Sequence, residues 1–108
     1  MAKQRDSFSE MIIEQLEQLP LFRSKRMFGG IGLFCADRFF GLIYRGSVYF
    51  RTDDVTRTAY TDLGMHYFQP NEKQYLKKYF EVPANIIEDN EAFLSWAETA
   101  LRVGEDSE

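Results

Sequence analysis

Cysteine and histidine are almost missing from this chain. Its 108 residues include one of each, Cys35 and His66. A single cysteine excludes an internal disulfide, and the pair falls short of the three or four ligands that a zinc site takes. Proline is scarce, at three residues, and no low-complexity tract or linker longer than a turn interrupts the chain. No apolar run approaches the roughly 18 residues of a membrane-spanning helix. The opening Met1-Ala2-Lys3-Gln4-Arg5-Asp6 lacks the apolar stretch and cleavage site of a secretory signal. These absences predict a cytoplasmic protein with no metal and no cofactor.

Aromatic side chains, in contrast, are in surplus: ten Phe, six Tyr and one Trp make up 16% of the chain. A domain of this size buries roughly 60–70% of its unfolded surface. That supports a real core, but it cannot enclose every ring. Some aromatics must reach the surface, where tyrosine favours interfaces. The length predicts one domain spanning residues 1–108, with a core at about 7–103 and short tails at 1–6 and 104–108.

The net charge of −4 is unevenly spread. Residues 1–51 carry eight basic and five acidic side chains, whereas residues 52–108 carry five basic and twelve acidic ones. Arg23, Lys25 and Arg26 form the densest basic cluster, with Lys3 and Arg5 upstream. A basic half favours an acidic partner or a phosphate backbone, yet nucleic-acid-binding domains are usually far more basic. Solvating an edge strand is the plainer role for these charges.

The pattern of residues predicts the order helix, four strands, helix, two strands, helix. Ser7-Phe8-Ser9-Glu10 fits a capping box, and Phe8, Met11, Ile12, Leu16 and Leu19 follow at helical spacing over about 8–19. Pro20 ends that helix. Four short runs rich in aromatic and β-branched residues come next, at 23–28, 31–35, 39–44 and 47–51. Gly29-Gly30, Ala36-Asp37-Arg38 and Arg45-Gly46 separate them. Connections this short join antiparallel neighbours, so the runs predict a meander, with 39–44 central because both of its faces are apolar. Thr52-Asp53-Asp54 opens a second helix, with Val55, Ala59 and Leu63 inward and Gly64 as its C-terminal cap. His66–Phe68 and Gln74–Phe80 read as a strand pair around Pro70-Asn71. A short helical turn begins at Pro83-Ala84. Asp89 or Asn90 caps a last helix with the stripe Ala92, Phe93, Trp96, Ala97, Ala100 and Leu101. The fold class is α+β: one antiparallel sheet with packed helices.

No catalytic constellation emerges. Gly29-Gly30-Ile31-Gly32 lacks the spacing of a dinucleotide fingerprint or a phosphate loop. It lies between strands, so no helix N-terminus follows to hold a phosphate. It reads instead as a turn needing positive φ, followed by a strand position without a side chain. If Gly32 lies under a helix, that position allows close packing. Cys35 has no nucleophile signature around it and reads as a buried, inert thiol. His66, at a strand start, reads as a surface or half-buried residue. Asp53, Asp54, Glu88, Asp89 and Glu91 have a sufficient role at helix starts. In Gln74-Tyr75-Leu76-Lys77-Lys78-Tyr79-Phe80, aromatics alternate with cations, as in base-stacking surfaces, but the surroundings are acidic.

Arg26-Met27-Phe28-Gly29-Gly30-Ile31-Gly32-Leu33-Phe34 resembles the signature of the TfoX/Sxy N-terminal domain family. Val48-Tyr49-Phe50-Arg51-Thr52-Asp53 resembles that family's strand leading to an acidic helix cap. Tyr79-Phe80-Glu81-Val82-Pro83, with Glu88-Asp89, Phe93-Leu94 and Trp96-Ala97, resembles its closing segment. The likeness spans about residues 7–103. It implies an α+β domain from regulators of natural competence that act with the cyclic-AMP receptor protein and are not known as enzymes. Those regulators carry a further helical C-terminal domain, so the resemblance implies a stand-alone copy. It carries over no catalytic residue.

The expected function is therefore a non-enzymatic regulatory module. It would bind a protein partner, the cyclic-AMP receptor protein or another transcription component, through Arg23, Lys25, Arg26, Tyr49 and Arg51, since Arg and Tyr are the residue types that most often anchor interfaces. Met27, Phe28, Gly29, Gly30 and Gly32 form the turn motif. The alternatives are weak nucleic-acid binding, and a small-ligand pocket between sheet and helices. Open sheet edges are also compatible with a homodimer.

Overall fold

A computed structural model describes residues 7–27 and 29–103. Its elements, in chain order, are α1 (Ser7–Leu16), β1 (Phe22–Met27), β2 (Gly30–Cys35), β3 (Arg38–Tyr44), β4 (Ser47–Arg51), α2 (Arg57–Thr61), β5 (Tyr67–Asn71), β6 (Gln74–Glu81), α3 (Ala84–Ile87) and α4 (Asn90–Arg102). This is the expected α+β order, with the short turn at Pro83-Ala84 formed as α3. The strands make one antiparallel sheet in the order β1-β2-β3-β4-β6-β5.

The turns explain the meander. Ala36 and Asp37 join β2 to β3 with φ of 49° and 67°, and Arg45 and Gly46 join β3 to β4 with φ of 48° and 82°. Two successive positive φ values give the hairpin turn whose twist matches that of the strands. Asn71 closes the β5–β6 hairpin differently. Its side-chain oxygen accepts from the amides of Lys73 and Gln74, at 2.8 and 3.0 Å.

β3 is central and buried over Phe40, Gly41, Leu42 and Ile43, as its two apolar faces predict. Its register against β2 slips between Leu33 and Phe34. This bulge adds Phe40 to the same side as Gly41 and Ile43. Gly41 leaves room there: a Cβ on it would come within 2.8 Å of the Phe50 ring.

All the helices pack on one side. Phe40, Phe50, Leu33, Ile43 and Val48 from the sheet meet Ile12, Leu16 and Phe93 from α1 and α4, and every one of these side chains is sealed from water. Phe50 lies between Phe40 and Phe93, with ring centroids at 5.7 and 5.4 Å. Full burial of one such side chain contributes roughly 1.5–3 kcal/mol. α4 is capped as expected: the Asp89 carboxylate accepts from the Ala92 amide at 3.2 Å.

Three local expectations are corrected. α1 starts at Ser7 itself, so its capping position lies outside the described residues, and it ends at Leu16. Its buried stripe is Ser9, Ile12, Ile13 and Leu16, with Met11 turned out to solvent. Contact with α4 rotates the stripe by about one residue. The third correction is α2, which starts late. The Asp53 carboxylate accepts from the amides of Val55 and Thr56, at 3.0 and 2.8 Å. That turn delays the helix to Arg57 and resets its phase. Tyr60 is the buried residue, while Val55, Ala59 and Leu63 lie outward. Gly64, at φ 77°, does end this segment: its amide bonds Thr61 and that of Met65 bonds Tyr60, closing a left-handed cap.

Candidate functional site

The sheet has a second face, and no part of the main core lies on it. Strand registers identify its residues. Arg23 pairs with Phe34, Lys25 with Gly32, Met27 with Gly30, Gly32 with Leu42, Phe34 with Phe39, Leu42 with Tyr49, and Arg51 with Tyr79. Cross-strand partners share a face, so these residues form one continuous surface. Leu42 and Phe68 are buried here yet stand apart from the helix-side core.

Two aromatic groups build this face. Phe39 joins Phe34 to Tyr79, with centroids at 5.2 and 5.1 Å. Phe68 takes Tyr44 and Tyr49 edge-on, at 5.2 and 5.1 Å. Phe34, Phe39, Tyr44, Tyr49 and Tyr79 are all half-buried. They pack flank to flank over the sheet and leave part of each ring to solvent.

Cations rim the aromatics. The Arg23 guanidinium sits 5.7 Å from the Phe34 ring centre and pairs with Asp37 at 2.7 Å. Arg45 lies 5.3 Å from the centre of the Tyr44 ring. Arg51 flanks Tyr79, whose phenol burial pushes up while the Arg51 charge opposes the shift. Burial, and then the carboxylate of Glu81, hold the Tyr49 phenol above its ordinary value. Both tyrosines therefore stay neutral hydrogen-bonding groups at physiological pH. Glu81 also accepts a hydrogen bond from Ser47 Oγ at 3.0 Å.

Of the five expected interface residues, the fold brings Arg23, Lys25, Tyr49 and Arg51 to this face. Arg26 pairs with Ile31, so its position alternates to the helix side, where it stays exposed. Sequence reasoning missed Phe34, Phe39, Tyr44 and Phe68 as parts of the surface. Their one signal was the aromatic surplus.

The turn motif now has a physical account. Gly29 takes φ 77°. A Cβ on Gly30 would collide with the Ile43 carbonyl, which is backbone and cannot move aside. Gly32 lies on the helix-free face, and the Met27 thioether occupies the space above it. Helix packing is therefore not what Gly32 serves. Phe28 lies outside the described residues.

The remaining candidates do not converge. Cys35 is buried on β2, and desolvation raises its thiol pKa. His66 is exposed beside β5, at the far side of the sheet, with its ring against Tyr67. Three strands, β3, β4 and β6, lie between them in the sheet. Asp54 pairs with Arg57 at 3.2 Å. Among the described residues no group of three or more His, Cys, Asp or Glu could hold a metal ion, and no helix is long and apolar enough to cross a membrane.

A pocket of about 260 Å³ does open between α2 and α4, lined by Arg51, Thr56, Ala59, Tyr60, Trp96, Thr99 and Ala100. Burial pushes the Tyr60 phenol far up, and its ring meets Trp96 edge-on at 4.7 Å. The lining offers the hydroxyls of Thr56, Tyr60 and Thr99, but no acid–base pair.

An α+β domain with its helices on one side and an aromatic, cation-rimmed sheet on the other defines a class: a small scaffold presenting a sheet surface. Comparison with protein families narrows this. The model of the TfoX N-terminal domain matches residues 14–103, and the chain belongs to that family. A search of curated proteins finds no match.

Proposed function

We propose that this domain is a non-enzymatic regulatory module, acting in the cytoplasm, that binds an acidic protein partner on the helix-free face of its sheet. The observation that carries this reading is the half-buried aromatic surface of Phe34, Phe39, Tyr44, Tyr49 and Tyr79 rimmed by Arg23, Lys25 and Arg51. Interfaces are enriched in Tyr, Phe and Arg, and large contiguous apolar surfaces mark interaction sites. The acidic residues Glu10, Glu14, Glu91 and Glu98 belong to helices packed on the other side, so the charge asymmetry favours approach to the sheet face.

The resemblance makes the cyclic-AMP receptor protein the first partner to try. The test is retention of that purified protein, and of lysate proteins at low and moderate salt, by the tagged domain. Retention is expected with the natural sequence and should be lost when Arg23, Lys25, Tyr49 and Arg51 are all changed to Ala. Equal retention by the folded quadruple variant overturns the reading. Retention of single-stranded oligonucleotide in place of protein, falling steeply with salt, replaces it with nucleic-acid binding.

A further inference from the structure

The two outer edges of the sheet are built differently. β5 is interrupted: its register against β6 shifts between Tyr67 and Phe68 and again between Phe68 and Asn71, and Pro70 has no amide to give. β1 is regular. All six of its residues pair with β2 in unbroken register, without proline or bulge, and among the described residues β2 is the one strand it pairs with.

Which β1 backbone groups face outward follows from that register. Met27 and Gly30 flank a two-residue connection, so they exchange hydrogen bonds, as do alternate pairs back along the strand. The Leu21 carbonyl, in the same phase, accepts from the Ala36 amide at 3.1 Å. The N–H and C=O groups of Phe22, Ser24 and Arg26 therefore point away from β2. That is three donor–acceptor sets on one straight edge.

The side chains select what can pair there. β1 carries three cations in six residues. Among the described residues Lys25 and Arg26 have no ion pair, and both are exposed. A second copy of β1 would bring cation against cation, which is unfavourable across strands. A strand bearing carboxylates gains the backbone bonds and neutralises Lys25 on the open face and Arg26 on the other.

We propose that β1 is a strand-addition site for an extended acidic segment of the protein partner, which joins the sheet as a seventh strand beside β1. This rests on the protein-binding reading above and names how that partner would engage. Main-chain bonds supply affinity in this mode, and alternate side chains supply choice.

The probe is a peptide as long as β1, made of glutamate and valine with glutamates on both of its faces, titrated into the isotope-labelled domain. The amides of Phe22, Ser24 and Arg26 should shift and exchange more slowly by roughly tenfold or more, while those of β5 stay unchanged. The same peptide with lysine for glutamate should not bind, and neither should one N-methylated at the residues facing β1. Ser24→Pro removes an outward amide without costing a β1–β2 bond and should abolish the effect. If Ser24→Pro does not fold, the Lys25→Glu/Arg26→Glu double variant should instead reverse the preference to the lysine peptide. Undiminished binding of the N-methylated peptide, or shifts confined to Phe34, Phe39 and Tyr79, overturns strand addition. Shifts at those rings with oligothymidylate, and no β1 response to peptide, would assign the surface to nucleic acid. If partner capture survives Ser24→Pro but is lost with the Arg23, Lys25, Tyr49 and Arg51 substitutions, the edge proposal falls while the sheet-face reading stands.

Discussion

The two faces of this sheet spend aromatic residues in opposite ways. On the helix side Phe40, Phe50 and Phe93 are sealed from water and hold α4 to the sheet. On the other side Phe34, Phe39, Tyr44, Tyr49 and Tyr79 stay half-buried, held by one another and by nearby cations. Stability lives on the first face, and the proposed recognition surface is the second. Rings alone do not tell the two apart. What does is whether a helix covers them.

That contrast breaks most visibly at Phe50 and Phe39. Phe50→Ala opens a cavity among sealed rings and should cost about 3–5 kcal/mol in denaturant unfolding. Phe39→Ala removes one half-buried member of a ring cluster. It should cost only about 1 kcal/mol and yet weaken partner capture. Equal losses of stability at both positions would erase the distinction between the faces.

Two glycines sharpen it further. Gly30→Ala drives a methyl into the Ile43 carbonyl, and the β2–β3 ladder must shift, at about 1–3 kcal/mol. Gly32→Ala meets the Met27 thioether, the far end of a flexible side chain. It should cost less, on the order of 1 kcal/mol or below. A Gly32→Ala loss as large as that of Gly30→Ala would mean that Met27 is locked in place.

The smallest effect lies at the α2 turn. The Thr56 amide, helped by the Thr56 hydroxyl and the Val55 amide, holds the Asp53 carboxyl below its ordinary value against the opposing effect of burial. Its folded pKa is thus depressed. The stabilisation is present above the unfolded carboxyl pKa of about 3.9 and is lost as pH falls through the lower folded value. Acid titration of stability should therefore fall more steeply for the natural chain than for Asp53→Asn, and parallel curves would remove the role of the charge.

The strands and their hairpins were legible because each rests on neighbours in the chain. Ala36-Asp37 and Arg45-Gly46 are turn pairs, and 39–44 is apolar on both faces. α4 was legible from Asp89 and its stripe. α2 was misread because Val55, Ala59 and Leu63 are apolar at the right spacing, but the Asp53 turn and the burial of Tyr60 against Phe80 and Trp96 set another phase. The site was legible in part. Arg23, Lys25, Tyr49 and Arg51 were singled out as interface candidates, but Phe34, Phe39, Tyr44 and Phe68 were not told apart from the rest of the aromatic surplus.

Sequence alone determined the α+β class, the meander from β1 to β4, the chain ends of most elements and membership in a family whose signature surrounds Gly29 and Gly30. Periodicity, caps and turn chemistry act within a few residues, so they can be read in order along the chain. Only the tertiary structure decided that β6 inserts between β4 and β5, that Met27 rests over Gly32, that Arg26 parts from Lys25, and that none of the described helices covers one aromatic face. Each of these depends on contacts between distant segments, where packing and register select one arrangement from several that local preferences allow.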